Sequence, residues 1–197
     1  MSDTIINMTT FRERPLVTPE NRPYTFVDPK PEEWQRRHEY HASFIGATLG
    51  DHVLGIEHVG GTAIPNIPGK DQTDALVIVK SIKDIPKYYE AMQEGDYTSH
   101  GPYAAETEEY FTHDNDAGLR TAGIHIVEEG DPWANELLLF RDYLRTSEMS
   151  RIWYRATKEE AHQFHPDDYP MYHQHKQDMT LELLAEAQAW HDAGRQS

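Results

Sequence analysis

The stretch of residues 57–79, EHVGGTAIPNIPGKDQTDALVIV, carries groups that could bind a ligand in the connection between two apolar runs. Two glycines open this connection, Lys70 lies near its end, and Asp74 begins the second apolar run. A hairpin needs only a few turn residues, so a connection of this length and composition predicts a binding site. Asp74 could instead accept hydrogen bonds from loop N–H groups, but an acid that opens an apolar strand favours a functional role.

Two histidines and two arginines are further candidates for such a site. His58 and His125 fall on predicted strands near the same cleft, where each imidazole either binds a ligand or only bonds to neighbouring strand residues. Arg141 and Arg145 lie four residues apart on one face of a predicted helix, a spacing that suits either a phosphate group or ion pairs along the helix. The His-rich segment HQFHPDDYPMYHQH is interpreted as solvated helix ends.

The composition of the 197 residues limits the possible partners. Asp and Glu number 34 against 18 Lys and Arg, and the net charge of −16 disfavours bulk nucleic acid and anionic membranes as partners. A local basic pocket for one small anionic ligand is compatible with this charge, because the nearest groups set the field inside a cleft. The absence of cysteine leaves only oxygen and imidazole ligands for a metal ion.

The sequence predicts neither a membrane span nor a secretory signal. No apolar run approaches the roughly 20 residues of a membrane-spanning helix. The first residues, MSDTIINMTTFRERP, lack the apolar core of a signal peptide. We therefore expect a cytoplasmic protein.

Hydrophobic patterning predicts an α+β protein with one main domain. We expect an N-terminal arm over residues 1–30, an α+β core over 31–130, and a helical C-terminal region over 131–197 that packs on the same domain. Apolar runs predict strands at residues 53–59, 74–79 and 121–127. The polar segment 97–120 is interpreted as an exposed strand and a turn.

Helical periodicity is strongest at both ends of this core. The segment from Pro31 to Gly50 predicts a helix whose apolar face is Trp34, Tyr40, Phe44 and Leu49. A second helix is predicted between Ser81, as its N-cap, and Gly95. Beyond Pro132, breaks near Thr146 and at HPDDYP predict about three helices. The aromatic residues expected in their core are Tyr143, Trp153, Tyr154 and Trp190.

Four stretches of the chain resemble the motifs of the GrpB family. They are IEHVGGTAIPNIPGKDQTDALV, FRDYLR at 140–145, YRATK at 154–158 and YHQHK at 172–176. The similarity extends from Asp28 to Trp190. GrpB proteins are placed in the nucleotidyltransferase superfamily, with the polymerase-beta-like fold. The resemblance therefore implies a nucleotidyltransferase-like mixed β-sheet flanked by helices, in which the three predicted strands are neighbours, and a helical C-terminal region.

The same resemblance implies a small-molecule nucleotide as the ligand. In this superfamily a glycine-containing turn lets backbone N–H groups approach the phosphates, and nearby cations offset the phosphate charge. The nucleotide-binding residues implied in this way are Gly60, Gly61, Thr62 and Lys70, and the helical spacing of Arg141 and Arg145 adds these two as candidates.

The metal donors implied by the resemblance are Asp74, His125 and His58. Asp74 would be the catalytic acid and would hold a divalent metal ion, Mg²⁺ or Mn²⁺, whereas imidazole donors suit a softer ion such as Zn²⁺. Two positions depart from the family pattern. Gly61 stands where the family has serine, and Leu76 stands where the superfamily has a second acid.

Two functions follow from these residues. The first is a metal-dependent transfer of a nucleoside monophosphate from a nucleoside triphosphate to an unknown acceptor, which Gly60, Lys70 and Asp74 favour. The alternative is a catalytically inactive module that binds a nucleotide or another metabolite, which Leu76 favours. The sequence predicts neither the acceptor nor the oligomeric state.

Overall fold

The computed structural model of the chain describes residues 21–102 and 107–194. Residues 1–20 of the predicted arm and residues 195–197 of the predicted helical region lie outside the described residues. The boundaries predicted between arm, core and helical region stay predictions. Among the described helices, none combines the length and the apolar composition that a bilayer crossing requires.

Strands and helices alternate in the first part of the described chain, and helices follow alone. The strands are β1 (Phe26–Val27), β2 (Val53–Val59), β3 (Gly69–Lys70), β4 (Thr73–Val79), β5 (Tyr97–Pro102), β6 (Glu108–Asp114) and β7 (Arg120–Glu128). The α-helices are α1 (Pro31–Leu49), α2 (Tyr89–Glu94), α3 (Pro132–Thr146), α4 (Glu148–Phe164), α5 (Tyr169–His175) and α6 (Gln177–Gly194).

The central sheet has the strand order β2-β4-β7-β6-β5. Strands β4 and β7 are parallel, and the other neighbours are antiparallel. The three runs predicted as strands are therefore β2, β4 and β7, and they lie side by side in one mixed sheet. The α+β fold class with a mixed sheet flanked by helices is confirmed.

The two faces of the sheet bury different clusters, and this decides which side chains can meet. Ala75 and Val77 of β4 pack in the cluster that contains residues of α1 and α2. Leu76 packs in a separate cluster with Trp133 of α3. Because successive strand residues point to opposite faces, Asp74 lies on the α3 face with Leu76.

Helix α1 begins at Pro31 and ends at Leu49, as the sequence predicts, and Gly50 follows with a positive φ of 55°. Its buried residues are Trp34, His38, His41, Ile45 and Leu49. The prediction that Tyr40 joins this face is wrong, since Tyr40 is 64% exposed. Positions 34, 38, 41 and 45 follow the 3.6-residue helical repeat and position 40 does not, so two histidines take the place expected for an aromatic residue.

Two predicted core elements differ from the structure. The helix predicted over 81–95 is a 3₁₀-helix at Ile82–Tyr88 followed by α2, because Pro86 lacks the N–H group that an α-helix needs. Ser81 precedes it without a side-chain cap. The segment 97–120 contains two strands rather than one, and five consecutive residues of β6, EEYFT, are buried.

Among the described residues, the C-terminal region contains four helices, where about three were predicted. The breaks near Thr146 and at HPDDYP are present, and Lys176 makes a further break between α5 and α6. Tyr154 is buried as expected, whereas Trp153 and Trp190 are 37% and 41% exposed, so their assignment to the core is wrong.

The segment around β1 ties the helical region to the core. Strand β1 pairs with β3, and the ring of Phe26 stacks on that of His162 in α4, with 4.4 Å between centroids. The Tyr24 hydroxyl donates to the backbone carbonyl of His165 over 2.8 Å. His162 is therefore a packing residue rather than part of a solvated helix end.

Candidate functional site

The predicted glycine turn and the predicted acid lie together at one end of the sheet. Strand β2 ends at Val59, which pairs with Asp74 of β4. Gly60 follows with φ of 73°, and a β-carbon there would lie 2.6 Å from the Asp74 Oδ2 atom. Glycine is thus required at position 60 both for its backbone conformation and for the close approach of the carboxylate.

The long connection after this turn is anchored by apolar packing. Ile64 and Ile67 are buried in a cluster with Leu144 of α3 and Tyr154 of α4. The connection then returns as β3 and leads into β4. Its length therefore serves to dock the C-terminal helices beside the turn.

The docked helices bring a lysine to the turn that the sequence-based site did not include. The Lys158 Nζ atom lies against the backbone of Gly61 and Gly69, where a β-carbon at either position would overlap it. Lys158 is 5% exposed. Burial lowers the pKa of Lys158 to about 7, with the charge of Lys70 acting in the same direction and that of Asp74 opposing it.

Two further lysines surround the same place, and we call Lys70, Lys158 and Lys176 the lysine cluster. The Lys70 Nζ atom donates to the Tyr169 hydroxyl over 2.7 Å, and Lys176 Nζ lies 4.5 Å from the ring centre of Tyr172. Burial lowers the pKa of Lys176, as do the charges of the other two lysines. Of the ion pairs between described residues, none includes a member of the cluster.

The phenol of Tyr172, which lies beside Lys176, is a second polar group near the lysine cluster whose bonding is incomplete among the described residues. Tyr172 is fully buried, and its hydroxyl has no hydrogen-bond partner in the part of the chain that the structure describes. Its pKa is raised by burial and by the neighbouring phenols of Tyr154, Tyr24 and Tyr169. Buried hydroxyl groups are nearly always bonded, so this one is available to a ligand or a water molecule.

Asp74 is held by a short chain of polar contacts. Its Oδ1 atom accepts a hydrogen bond of 2.8 Å from the Gln72 amide. The Gln72 carbonyl oxygen in turn accepts one of 2.8 Å from Arg22. Asp71, three residues before Asp74, faces α1 instead and accepts from Lys30 and from Trp34.

His58 lies on the other face of the sheet from Asp74. It pairs with Ala75, and its ring stacks on that of His38 in α1 at 4.7 Å, with 8° between the ring planes. The His58 Nε2 atom is 2.9 Å from the Thr62 hydroxyl. Burial lowers the pKa of His58 to about 4, and His38 adds to this effect. The structure therefore brings His58 to the Thr62 hydroxyl and not to Asp74.

His125 lies on the same face of the sheet as Asp74, but its imidazole does not bond to Asp74. Its Nδ1 atom is 2.6 Å from the buried Glu108 carboxylate, and its ring packs against Tyr110 and Trp133. In the β4–β7 register His125 pairs with Leu76, two residues beyond Asp74. Leu76 is fully buried in the cluster under Trp133.

Known proteins are similar to the chain over most of its described length. The family model described as GrpB protein matches residues 25–186. The chain belongs to the GrpB family. The UPF0157 protein YqkA of Bacillus subtilis is 30% identical over 81% of this chain, which spans only 46% of that relative. The crystal structure of the conserved protein GrpB from Enterococcus faecalis has a TM-score of 0.78 at 25% identity, covering 84% of this chain and 99% of that one.

A more distant solved structure connects the GrpB fold with nucleotidyltransferases. The Cid1 poly(U) polymerase in its complex with Mg and 3′-dATP has a TM-score of 0.51 at 10% identity, over 71% of this chain and 45% of that chain. At this identity the likeness concerns the fold alone. The sheet and flanking helices of this GrpB chain are thus similar in fold to part of that polymerase.

The donor atoms around Asp74 do not fit the paired-acid metal site of that superfamily. Among the described residues of this GrpB chain, no group of three or more His, Asp or Glu side chains converges as metal ligands would. His58 faces away, His125 bonds to Glu108, and Asp74 is a single carboxylate within electrostatic range of Lys158 and Lys176. The divalent metal ion predicted at Asp74, His125 and His58 stays a prediction, and no step below depends on it.

The two predicted arginines of the GrpB motif FRDYLR donate hydrogen bonds to residues just before and just after the glycine turn. Arg141 donates to Glu57 over 2.7 Å and to the His58 carbonyl oxygen over 3.0 Å. Arg145 donates to the Ala63 carbonyl oxygen over 3.0 Å. Both arginines also pair with Asp142 of the same helix, at 2.8 Å and 3.7 Å. Ion pairs along the helix, one of the two alternatives, are therefore present, and contact of the arginines with a nucleotide stays a prediction.

The residues that sequence reasoning missed are Lys158, Lys176 and Gln72. Both lysines close GrpB motifs, YRATK and YHQHK, that identify the family without revealing the role of their last residue. The available signal was that each of these two motifs ends in a lysine. Gln72 gave no signal, because an amide between a loop and a strand is unremarkable in sequence.

Proposed function

We propose that this GrpB protein binds a nucleoside triphosphate, with the phosphates against the turn of Gly60 to Thr62 and the lysine cluster. The observation that carries the proposal is the position of Lys158, whose buried ammonium group lies on the turn without a carboxylate partner at ion-pair distance among the described residues. A buried cation of this kind is costly unless an anion compensates it. The nucleotidyltransferase fold supports a nucleotide as the bearer of that anion.

The chemistry of binding follows from the groups at the turn. Ammonium groups donate charge-assisted hydrogen bonds to phosphate oxygens, and such bonds are the strongest that a protein offers an anion. The backbone of a glycine turn can approach the same oxygens closely. A bound phosphate raises the pKa of Lys158, so the lysine takes up a proton when the ligand binds at neutral pH. Asp74 acts in the same direction in the free protein, since its charge favours the protonated form of Lys158.

Nucleotidyl transfer to an unknown acceptor is the second candidate. The position of Asp74 against Gly60, at the start of the strand that carries the superfamily acids, favours it. The buried Leu76 at the place of the second acid disfavours it. Binding without transfer is therefore the function that this geometry supports best.

Calorimetric titration of nucleoside triphosphates, with and without Mg²⁺, Mn²⁺ or Zn²⁺, tests the proposal. We expect Lys158→Met to weaken nucleotide binding by about tenfold or more, because a charge-assisted contact is lost while the length of the side chain is kept. Lys87→Met is the matched control, since Lys87 is exposed and pairs with Asp84. Equal affinity of the Lys158→Met variant and the wild type would contradict the proposed site.

The variant Asp74→Asn distinguishes the two candidates. If the protein only binds, removal of this negative charge changes nucleotide affinity little, because the reduced repulsion from phosphate opposes the loss of a charge that favours protonated Lys158. If the protein transfers a nucleoside monophosphate, turnover and metal-dependent binding are lost. Turnover that persists in Asp74→Asn would exclude Asp74 as the catalytic acid.

A further inference from the structure

A cavity of about 100 Å³ lies beside Gln72, the residue that donates to Asp74. Its walls include Arg22, Arg37, Lys70 and Arg120, together with Asp71. These cations come from the segment before β1, from α1, from β3 and from β7, and these elements are far apart in sequence. Only the fold brings these four cations together.

The charges in this cavity are not balanced within it. Asp71 is the acid in the wall, and it already accepts hydrogen bonds of 2.9 Å from Lys30, Trp34 and Arg37. Arg22 donates to the neutral amide of Gln72. Arg120 pairs with Asp114, which lies outside the wall and is partly exposed. The cavity is thus positive in a chain whose net charge is −16.

We infer that this cavity is a binding subsite for a single phosphate or carboxylate group. Its volume of about 100 Å³ suits such a group, because one water molecule takes up about 30 Å³ and cavities for whole drug-sized ligands start at roughly 300 Å³. Guanidinium groups bind these anions through paired, directional hydrogen bonds.

Gln72 connects the subsite to the proposed nucleotide site. Its amide donates to Asp74 and accepts from Arg22, so one side chain separates the anion from the Asp74 carboxylate. The anionic group belongs either to the nucleotide or to a second small molecule that binds next to it. The existence of the subsite does not depend on the proposed function, and only the identity of its natural ligand does.

The test uses inorganic phosphate and acetate as probes of the full chain, titrated by calorimetry at constant ionic strength. We expect saturable binding of phosphate that Arg120→Gln and Arg22→Gln each weaken by about tenfold, the effect of one lost charge-assisted contact. Arg155→Gln removes the same charge from an exposed residue that pairs with Glu159, and it should leave phosphate binding unchanged. This control also separates binding from the general stabilisation of proteins by phosphate.

Two further arms identify the source of the anion and keep the subsite distinguishable from the lysine cluster. Competition between phosphate and a nucleoside triphosphate assigns the subsite to the nucleotide, and independent binding assigns it to a second ligand. Lys158→Met should weaken nucleotide binding and leave phosphate binding at the subsite intact. Phosphate affinity that is equal in wild type, Arg120→Gln and Arg22→Gln, with both variants folded, would overturn the inference.

Discussion

The ammonium group of Lys158 lies where a β-carbon of residue 61 would be, although 97 positions separate Lys158 from Gly61 in the chain. A side chain at position 61 and the observed lysine position exclude each other. Glycine at position 61 thus provides the space that Lys158 occupies.

Gly61→Ala should displace Lys158 from the turn and weaken nucleotide binding. The expected loss of affinity is about tenfold, as for a lost charge-assisted contact, and the loss of stability is small because the end of a lysine side chain can move. Gly55→Ala is the matched control, since a β-carbon there meets no atom within 4 Å. Calorimetric titration of both variants checks this prediction, which unchanged affinity in Gly61→Ala would refute.

Nucleotide affinity should fall as the pH rises through 7. The pKa of Lys158 is lowered to about 7, so its ammonium form is present below this pH and lost above it. One unit above its pKa, the side chain is about 90% neutral, which weakens the binding of an anion by up to about tenfold. Affinity measured from pH 6 to pH 9 in wild type and in Lys158→Met checks this. The variant should lack the decline, apart from any titration of the ligand itself, and identical profiles would contradict the prediction.

Acid should destabilise the protein through two buried histidines. Burial lowers the pKa values of His41 and His58 to about 4 from 6.5. Between pH 6.5 and 4 these histidines are therefore protonated in the unfolded chain and neutral in the folded chain. Their full contribution to the free energy of unfolding is present above pH 6.5 and is lost as the pH decreases to 4. Each histidine contributes on the order of 3 kcal/mol to this loss.

Urea unfolding at a series of pH values measures the effect. His58→Gln should reduce the slope of stability against pH, because glutamine does not titrate while it keeps a hydrogen-bonding group near Thr62. A free energy of unfolding that stays constant from pH 7 to pH 5 in the wild type would show that these imidazoles are not held neutral.

Leu76→Asp should destabilise the fold instead of restoring a metal site. Leu76 is fully buried between Val59 and Trp133, and an unpaired carboxylate there costs several kcal/mol in addition to the lost apolar contacts. Leu54→Asp is a matched control on β2, because Leu54 is 46% exposed. Thermal unfolding should separate the two variants clearly. A folded Leu76→Asp protein with newly gained Mg²⁺ binding would contradict this prediction and favour nucleotidyl transfer.

The sequence predicted the central sheet because its strands carry local signals. DALVIV and TAGIHIV are apolar runs that no helix pattern explains, and the fold implied by the family resemblance makes them neighbouring strands. Asp74 and Gly60 were predictable for the same reason, since both belong to one continuous motif. The buried face of α1 was not, because hydrophobicity ranks Tyr40 above His38 and His41 even though helical geometry directs the histidines inward.

The lysine cluster could not be derived from local patterns. Lysines on helices are usually solvated, and nothing within YRATK indicates that its last residue ends in the interior. That position depends on how α4 docks on the turn, which is a property of tertiary packing. The same holds for Glu108, which is buried in β6 although its segment appears polar and exposed.

Strand β1 pairs with β3 and Tyr24 contacts α4, so the first described residues contact a helix that is synthesised more than 100 residues later. The sheet is complete once residue 128 has left the ribosome, but the lysine cluster requires residue 176. Contacts between such distant parts of a chain form late, because the entropy of closing the intervening loop must be overcome first. A nascent chain therefore carries the glycine turn and Asp74 before it carries Lys158 and Lys176, so a ligand that needs the lysine cluster could bind only after the last helices have been synthesised.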